Sequence, residues 1–203
     1  MLNIFARASV SRVTDPVGTW LRRRGVTPNA VTLVGTAGTV LAALWFIPRG
    51  QLFAGTLVIT FFVLFDLLDG AVARAGGTGT RFGAVLDASC DRIADGALFG
   101  AIAWFCLSAT DDRLGGAAAL ICLVAAQVIS YVKARAEATG LAADGGLVER
   151  AERMILALVG AGLTGLGVPY ALDIALWVLA PLAVITVAQR LLAVRRSAEE
   201  QAG

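Results

Sequence analysis

Hydrophobic residues fill six long runs of the 203-residue chain, and charged residues are confined to the stretches between them. A helix needs about 20 residues to cross a bilayer. Three runs are long enough alone, and the second, third and sixth borrow residues from a charged flank. The runs without Asp, Glu, Lys or Arg are residues 25–48, 50–65, 96–110, 114–132, 154–172 and 174–189. They predict helices at about 28–47, 52–75, 83–108, 115–138, 151–168 and 172–194.

Composition agrees with this pattern. The chain is 58% hydrophobic and 16% charged, against about 25% charged in soluble domains. We therefore predict an all-α integral membrane protein with six transmembrane helices and an N-terminal interfacial amphipathic helix. Histidine is absent, which excludes imidazole as a base or ligand. Cys90, Cys106 and Cys122 lie isolated in apolar segments, so we interpret them as packing residues.

The basic residues are unevenly distributed about the six predicted spans. Fourteen of the 17 Lys and Arg residues fall on the side of the termini, and only Arg49 and Arg113 fall on the other side. Because Lys and Arg are enriched in cytoplasmic loops, we predict a multi-pass protein of the cell inner (plasma) membrane. Its termini, the 74–82 and 133–153 loops and the active site would then face the cytoplasm.

The spans also divide the chain. Residues 1–25 form a predicted cytoplasmic juxtamembrane amphipathic segment, residues 26–196 the transmembrane domain and residues 197–203 a cytoplasmic tail. Within the first segment, Thr14-Asp15-Pro16 is typical of a helix start. Val17, Trp20 and Leu21 then accompany three arginines, which suits a helix lying on anionic lipid. Membrane lipid, and not nucleic acid, is the predicted partner.

Five of the 15 acidic residues lie in one short stretch, residues 66–95. Residues three or four apart share a helix face. Asp66 and Asp69 are three apart, and Asp87, Asp91 and Asp95 follow at intervals of four. The short loop between the two predicted helices would bring these stripes together as an antiparallel pair.

Four facing carboxylates would repel one another strongly in a poorly hydrated site. Divalent cations are the simplest compensation, and oxygen ligands without His or Cys favour Mg²⁺ or Mn²⁺. Four carboxylates balance two such ions, and two-metal sites stabilise both oxygens of a phosphoryl displacement. Two alternatives are helix-end aspartates that reach to water, and the lining of a cation transporter pathway.

The stretch DLLDGAVARAGGTGTRFGAVLDASCD, residues 66–91, resembles the signature of the CDP-alcohol phosphotransferases. That signature is D-x2-D-G-x2-A-R, eight residues, then G-x3-D-x3-D. All of its fixed positions are filled here, by Asp66, Asp69, Gly70, Ala73, Arg74, Gly83, Asp87 and Asp91. The six-helix arrangement agrees with this family, so the resemblance covers nearly the whole chain.

The resemblance implies transfer of a phosphatidyl group from CDP-diacylglycerol, or a related CDP-alcohol, to a hydroxyl with release of CMP. It implies a homodimer and two metal ions (Mg²⁺ or Mn²⁺). The metal ligands would be Asp66, Asp69, Asp87 and Asp91, with Asp91 also the catalytic base. The CDP-diacylglycerol-binding residues would be Asn29, Thr32, Gly70, Arg74 and Thr80. Asp95 lies outside the signature, and we predict a supporting or packing role for it.

The acceptor is predicted from two cations. Lys133 and Arg153 each lie about a turn inside their helices, and a buried Lys–Arg pair beside an acidic site favours a phosphorylated acceptor. The patterns SYVKAR and ERAER resemble bacterial phosphatidylinositol phosphate synthases, whose acceptor is inositol 1-phosphate (1D-myo-inositol 3-phosphate). That resemblance implies that Ser130, Lys133, Arg153 and Arg195 bind the acceptor phosphate, although Arg190 and Arg196 compete with Arg195. The alternative is a phosphatidylglycerolphosphate synthase that uses glycerol 3-phosphate.

Overall fold

The computed structural model describes residues 15–75 and 80–202, and within these ranges the chain forms seven helices. Residues 1–14, the first part of the predicted juxtamembrane segment, lie outside the described residues, as do the side chains of residues 66, 67, 69, 70, 73–75 and 202. The helices are α1 (residues 15–23), α2 (Pro28–Phe46), α3 (Leu52–Ala75), α4 (Arg81–Ser108), α5 (Arg113–Ala138), α6 (Arg150–Gly165) and α7 (Ala171–Ala202).

Local capping explains where several helices begin and end. Thr80 accepts a hydrogen bond from the Gly83 amide at 2.9 Å, so α4 begins at Arg81, two residues earlier than predicted. Asp112 accepts from the Gly115 amide at 3.0 Å and starts α5. Helix α6 ends at Gly165 rather than near residue 168. Gly167 has a φ of 89°, a left-handed conformation that glycine adopts without strain and that ends a helix.

The largest difference from the predicted boundaries is at the end of α7. The sequence predicts a helix to about residue 194 and a tail from 197, but the helix continues to Ala202. Two side chains in the added turns hold the backbone of the loop that follows α5. Ser197 accepts from the Ala142 amide at 3.0 Å, and Gln201 donates to the Gly140 carbonyl at 2.9 Å.

The chain divides into two compact units, residues 1–42 with 58–94 and residues 43–57 with 95–203. In the first unit, glycines allow helices to approach closely. A Cβ on Gly18 of α1 would lie 2.6 Å from the carbonyl carbon of Ala71, so α1 packs directly on the backbone of α3. Gly38 of α2 likewise faces the Phe62 ring. Small residues at helix contacts are common in membrane proteins.

In the second unit, α7 packs against both α5 and α6. Ala125, Ile129 and Ala183 are buried together, with Val187 against them. On α6, a Cβ on Gly160 would lie 2.6 Å from that of Ala175. The Thr56 hydroxyl donates to the Leu158 carbonyl at 3.3 Å, which links α3 to α6.

Three helices within the described residues are long and apolar enough to cross a membrane: Pro28–Phe46, Arg113–Ala138 and Ala171–Gln201. Helix α3 has a shorter apolar stretch, Leu52–Phe65. The described part of the chain is thus helical with membrane-spanning character, in agreement with the predicted class of fold.

Candidate active site

The carboxylate stretch lies on two helices, as predicted. Asp66 and Asp69 lie in α3, whose backbone is helical through both positions, so the two positions share a face. Their side chains lie outside the described residues. Asp87 and Asp91 lie one turn apart on α4, and both are half-buried. The Arg92 guanidinium lies 3.9 Å from the Asp91 carboxylate.

The donor set on α4 fits a hard divalent cation, since it offers carboxylate oxygens and the chain has no histidine. Among the residues whose side chains are described, no group of three or more His, Cys, Asp or Glu is arranged to hold a metal. Asp66 and Asp69, which supply half of the predicted set, have side chains outside the described residues. Convergence of the four aspartates therefore stays a prediction.

Asn29 and Thr80, two of the predicted nucleotide-binding residues, meet at one glycine. A Cβ on Gly83 would lie 3.0 Å from the Thr80 hydroxyl oxygen and 3.1 Å from the Asn29 side-chain oxygen. Glycine at this position therefore leaves room for both polar side chains beside the first turn of α4. The structure brings Asn29 and Thr80 together, although 51 positions separate them in the sequence.

Two threonines near this contact also serve as helix caps. Thr27 accepts from the Ala30 amide at 3.2 Å at the start of α2, and Thr80 accepts from Gly83 at the start of α4. Thr32 is buried, and its hydroxyl donates to the Pro28 carbonyl at 3.2 Å. The hydroxyls of Thr32 and Thr80, both predicted nucleotide contacts, thus also make hydrogen bonds within the protein. For Gly70 and Arg74 the side chains lie outside the described residues.

The four predicted acceptor residues differ in burial. Ser130 on α5 is half-buried, and Arg153 on α6 is only 1% exposed. Lys133 is exposed, so the expectation of a buried Lys–Arg pair is wrong. The reason is position, since Lys133 lies in the last two turns of α5, where the side chain reaches solvent. Arg195 is also exposed and pairs with Glu199 at 2.8 Å, one turn further along α7.

Arg153 is paired with a carboxylate from another helix. Its guanidinium lies 3.3 Å from Asp95, which is fully buried on α4, and a second arginine of α6, Arg150, contacts the same carboxylate at 3.3 Å. The sequence predicted a supporting role for Asp95, and these arginines are partners it did not reveal. Because 55 and 58 positions separate them from Asp95, helical periodicity carries no signal for the contact.

Arg190 of α7 is a second buried cation, at 5% exposed. It donates to the carbonyls of Ile129 and Gly145, both at 3.1 Å, and lies 3.8 Å from Glu149. Because Ile129 directly precedes Ser130, Arg190 contacts the part of α5 that carries a predicted acceptor residue.

The loop between α5 and α6 is bonded to α7 along its length. Besides Arg190, Ser197 and Gln201, Thr186 accepts from the Val148 amide at 3.2 Å, and Gln189 accepts from the Leu147 amide at 3.1 Å. Positions 186, 190, 197 and 201 fall on one side of a helix. This face of α7 sets the path of the loop that leads into α6 and Arg153.

Comparison with known proteins identifies the family. A sequence profile described as CDP-alcohol phosphatidyltransferase matches residues 25–189, most of the chain. The chain belongs to the CDP-alcohol phosphatidyltransferase family. The resemblance read from the signature is therefore confirmed. A phosphatidyltransferase of this family is an enzyme, and the aspartates of α3 and α4 occupy its signature positions.

Curated relatives of this phosphatidyltransferase share about half of its residues. The phosphatidylinositol phosphate synthase of Mycobacterium marinum is 56% identical over 189 residues, covering 92% of this chain and 81% of the relative. That of Corynebacterium glutamicum is 52% identical over 198 residues, covering 97% of this chain and 90% of the relative. The similarity therefore spans almost the entire sequence.

Solved structures agree with the fold. A crystal structure of Mycobacterium tuberculosis phosphatidylinositol phosphate synthase with CDP-DAG bound is similar with a TM-score of 0.87 and 54% identity, covering 90% of this chain and 94% of that one. A structure of the same synthase in complex with manganese and citrate has a TM-score of 0.88 and 53% identity, covering 91% and 90%.

Proposed function

We propose that this phosphatidyltransferase transfers the phosphatidyl group of CDP-diacylglycerol to a hydroxyl of inositol 1-phosphate, giving phosphatidylinositol phosphate and CMP. The donor is supported by the signature and by the similar synthase that binds CDP-DAG. The acceptor is supported by relatives up to 56% identical that are phosphatidylinositol phosphate synthases. Family membership argues against the cation transporter considered from the sequence.

The structural observation that carries the acceptor assignment is the buried arginine Arg153. It lies with Arg150 around a single carboxylate, Asp95. Guanidinium groups form charge-assisted hydrogen bonds to phosphate, so a buried arginine at this position suits a phosphorylated acceptor. Ser130, Lys133 and either Arg190 or Arg195 complete the proposed acceptor set.

On the donor side, Asp66, Asp69, Asp87 and Asp91 would hold two divalent cations, Mg²⁺ or Mn²⁺. A similar synthase is known in complex with manganese. When bound, such ions neutralise phosphate charge and stabilise the entering and leaving oxygens. Asn29 and Thr80, which meet at Gly83, and Thr32, Gly70 and Arg74 are the proposed contacts to CDP-diacylglycerol.

The proposed reaction needs one proton transfer by the protein. The acceptor oxygen forms a new bond to the phosphorus of the phosphatidyl group, the bond from that phosphorus to CMP breaks, and the hydroxyl proton passes to the Asp91 carboxylate. Asp91→Asn cannot accept this proton. We expect it to lose turnover about 100-fold or more while CDP-diacylglycerol still binds, measured by CMP release and by equilibrium binding. Near-normal turnover would exclude Asp91 as base and as essential ligand, and Asp111→Asn is a control at an exposed aspartate.

The acceptor is tested by competition. Wild-type protein with CDP-diacylglycerol and Mg²⁺ should release CMP with inositol 1-phosphate, and glycerol 3-phosphate or unphosphorylated inositol should serve poorly. Arg153→Ala should raise the apparent KM for inositol phosphate about ten- to a hundredfold, because a charge-assisted bond contributes about 1.5–3 kcal/mol. The KM for CDP-diacylglycerol should change little. A preference for glycerol 3-phosphate would refute the proposed acceptor.

We also propose that α2–α7 all cross the membrane, with both termini and the active site in the cytoplasm of the cell that makes the protein. Helices outside the three long apolar ones carry exposed apolar stripes too: Leu57 and Phe61 on α3, Trp104 on α4, and Ile155 and Val159 on α6. These side chains suit contact with lipid. At 16 residues α6 spans about 24 Å, so flanking residues would complete its crossing.

Labelling of single cysteines tests this topology, because Cys90, Cys106 and Cys122 are buried. In spheroplasts, a membrane-impermeant maleimide should label Asp111→Cys, and it should label Asp144→Cys only after permeabilisation. The reverse result would invert the orientation. The proposed homodimer is tested on the purified protein by light scattering with correction for bound detergent.

A further inference from the structure

The buried carboxylate of Asp95 joins α4 to the first turn of α6. Its two oxygens contact different arginines: Oδ1 lies 3.3 Å from Nε of Arg150, and Oδ2 lies 3.3 Å from Nη2 of Arg153. The arginines are three residues apart on α6 and therefore share a face. Asp95 is 0% exposed and Arg153 is 1% exposed, so water does not compete for this contact.

Arg153 is held from a second side as well. Its Nη1 donates to the Val148 carbonyl at 3.4 Å, and the Val148 amide donates to the Thr186 hydroxyl of α7. A guanidinium is a planar group whose N–H donors point in fixed directions. Once one edge is fixed by a carboxylate and a carbonyl, the directions of the remaining N–H groups are fixed too. The orientation of Arg153 thus depends directly on Asp95.

We propose that Asp95 is a positioning residue for the acceptor, which orients Arg153 to bind the acceptor phosphate. This inference rests on the proposed function. Asp95 also lowers the cost of burying the Arg153 guanidinium next to the half-buried Arg150. Asp95 lies outside the family signature and contacts two arginines of α6, one of them a proposed acceptor residue, so the proposed role concerns the acceptor.

Two other roles for Asp95 give different kinetics. If Asp95 only tied α4 to α6, its loss would lower stability and affect both substrates alike. If it competed with the phosphate for Arg153, removing its charge would tighten acceptor binding. If Asp95 positions Arg153, its loss weakens binding of the acceptor and leaves binding of CDP-diacylglycerol unchanged.

The test compares Asp95→Asn and Asp95→Glu with wild-type protein in detergent, in CMP-release assays that titrate one substrate at saturating concentration of the other. We expect the KM for inositol phosphate to rise roughly tenfold or more in Asp95→Asn, the loss typical of a bond to a charged group. Asp95→Glu keeps the charge but displaces it, so its KM for inositol phosphate should lie between those of wild-type protein and Asp95→Asn. In both variants the KM for CDP-diacylglycerol should stay within about twofold. Asp111→Asn, the same change at an exposed aspartate, is the matched control.

A double-mutant cycle tests whether Asp95 acts through Arg153. In an Arg153→Ala background, Asp95→Asn should add little to the acceptor KM, because coupled residues are not additive. Full additivity would overturn the proposal, as would a lowered acceptor KM or equal rises for both substrates. Should Asp95→Asn fail to fold, Asp95→Glu decides, since an unchanged acceptor KM in that variant also overturns the proposal.

The acceptor assay with wild-type protein shows separately whether the proposed function is wrong. If glycerol 3-phosphate proves to be the acceptor, the acceptor assignment is wrong, and the same variants are measured with glycerol 3-phosphate. A selective rise of the KM for that phosphate would still support Asp95 as the positioning residue. An unchanged KM would refute it.

Discussion

Gly83 offers a sharp test of the donor site, because the structure gives the consequence of adding one methyl group. In Gly83→Ala the new Cβ would lie 3.0 Å from the Thr80 hydroxyl and 3.1 Å from the Asn29 side-chain oxygen. Both distances are shorter than ordinary van der Waals contact, so these side chains must move by a few tenths of an ångström. They are two of the proposed contacts to CDP-diacylglycerol.

The expected change in the KM for CDP-diacylglycerol follows from the energy of hydrogen bonds. A typical bond contributes about 0.5–1.5 kcal/mol, so weakening one or two should raise the KM for CDP-diacylglycerol about three- to thirtyfold. Stability should change little. Alanine gains about 1 kcal/mol over glycine in a helix, but displacing Thr80 weakens an N-cap worth about 1 kcal/mol.

Gly100→Ala is the matched control on the same helix, since a Cβ there would meet nothing within 4 Å. It should leave both KM values unchanged and gain about 1 kcal/mol from helix propensity. The assays are CMP release with each substrate titrated, and thermal unfolding in detergent. If Gly83→Ala leaves the CDP-diacylglycerol KM within twofold, or raises the acceptor KM equally, Asn29 and Thr80 do not form the donor site.

Two further predictions concern helix contacts. Arg190→Gln removes guanidinium bonds to the backbone carbonyls of Ile129 and Gly145, so we expect it to expose the 139–149 loop to limited proteolysis. Arg195→Gln should leave protease resistance nearly unchanged, because a surface ion pair contributes less than about 1 kcal/mol; equal resistance in the two variants would contradict this. Gly18→Ala places a Cβ 2.6 Å from the Ala71 backbone, so it should lower the melting temperature in detergent, whereas Gly100→Ala, with nothing within 4 Å, should not. An unchanged melting temperature in Gly18→Ala would refute the close contact of α1 with α3.

The apolar runs predicted most of the fold because lipid-spanning helices must be long and apolar. Helix boundaries for α2 and α3 agree with the structure to within one residue. The predicted end of α7 was wrong because six of the eight residues in 195–202 are polar, which is typical of a tail. Their helical structure is favoured by Ser197 and Gln201, whose partners lie 55 and 61 positions away. Such contacts leave no local pattern in a sequence.

The candidate site was also predictable from the sequence only in part. Helical spacing placed the aspartates on α3 and α4, and the family resemblance supplied their roles. Neither could show that Asn29 and Thr80 meet at Gly83, because that contact depends on how α2 approaches the start of α4. Exposure was also misjudged: Lys133 and Arg153 occupy similar distances from their helix ends, yet only Arg153 is buried. Burial depends on the neighbouring helices, which periodicity does not specify.

The Asp95 cluster consists of Asp95 on α4 and Arg150 and Arg153 on α6. Replacing a buried ion pair with apolar side chains is often neutral or stabilising, whereas removing one partner alone is strongly destabilising. Stability by itself therefore gives little reason to bury a carboxylate and an arginine inside a chain that is 58% hydrophobic. Binding a phosphate gives such a reason, because a cation can be held in a dry site only if a fixed anion offsets part of its charge. Asp95 supplies that anion from α4, and the contact orients the Arg153 guanidinium.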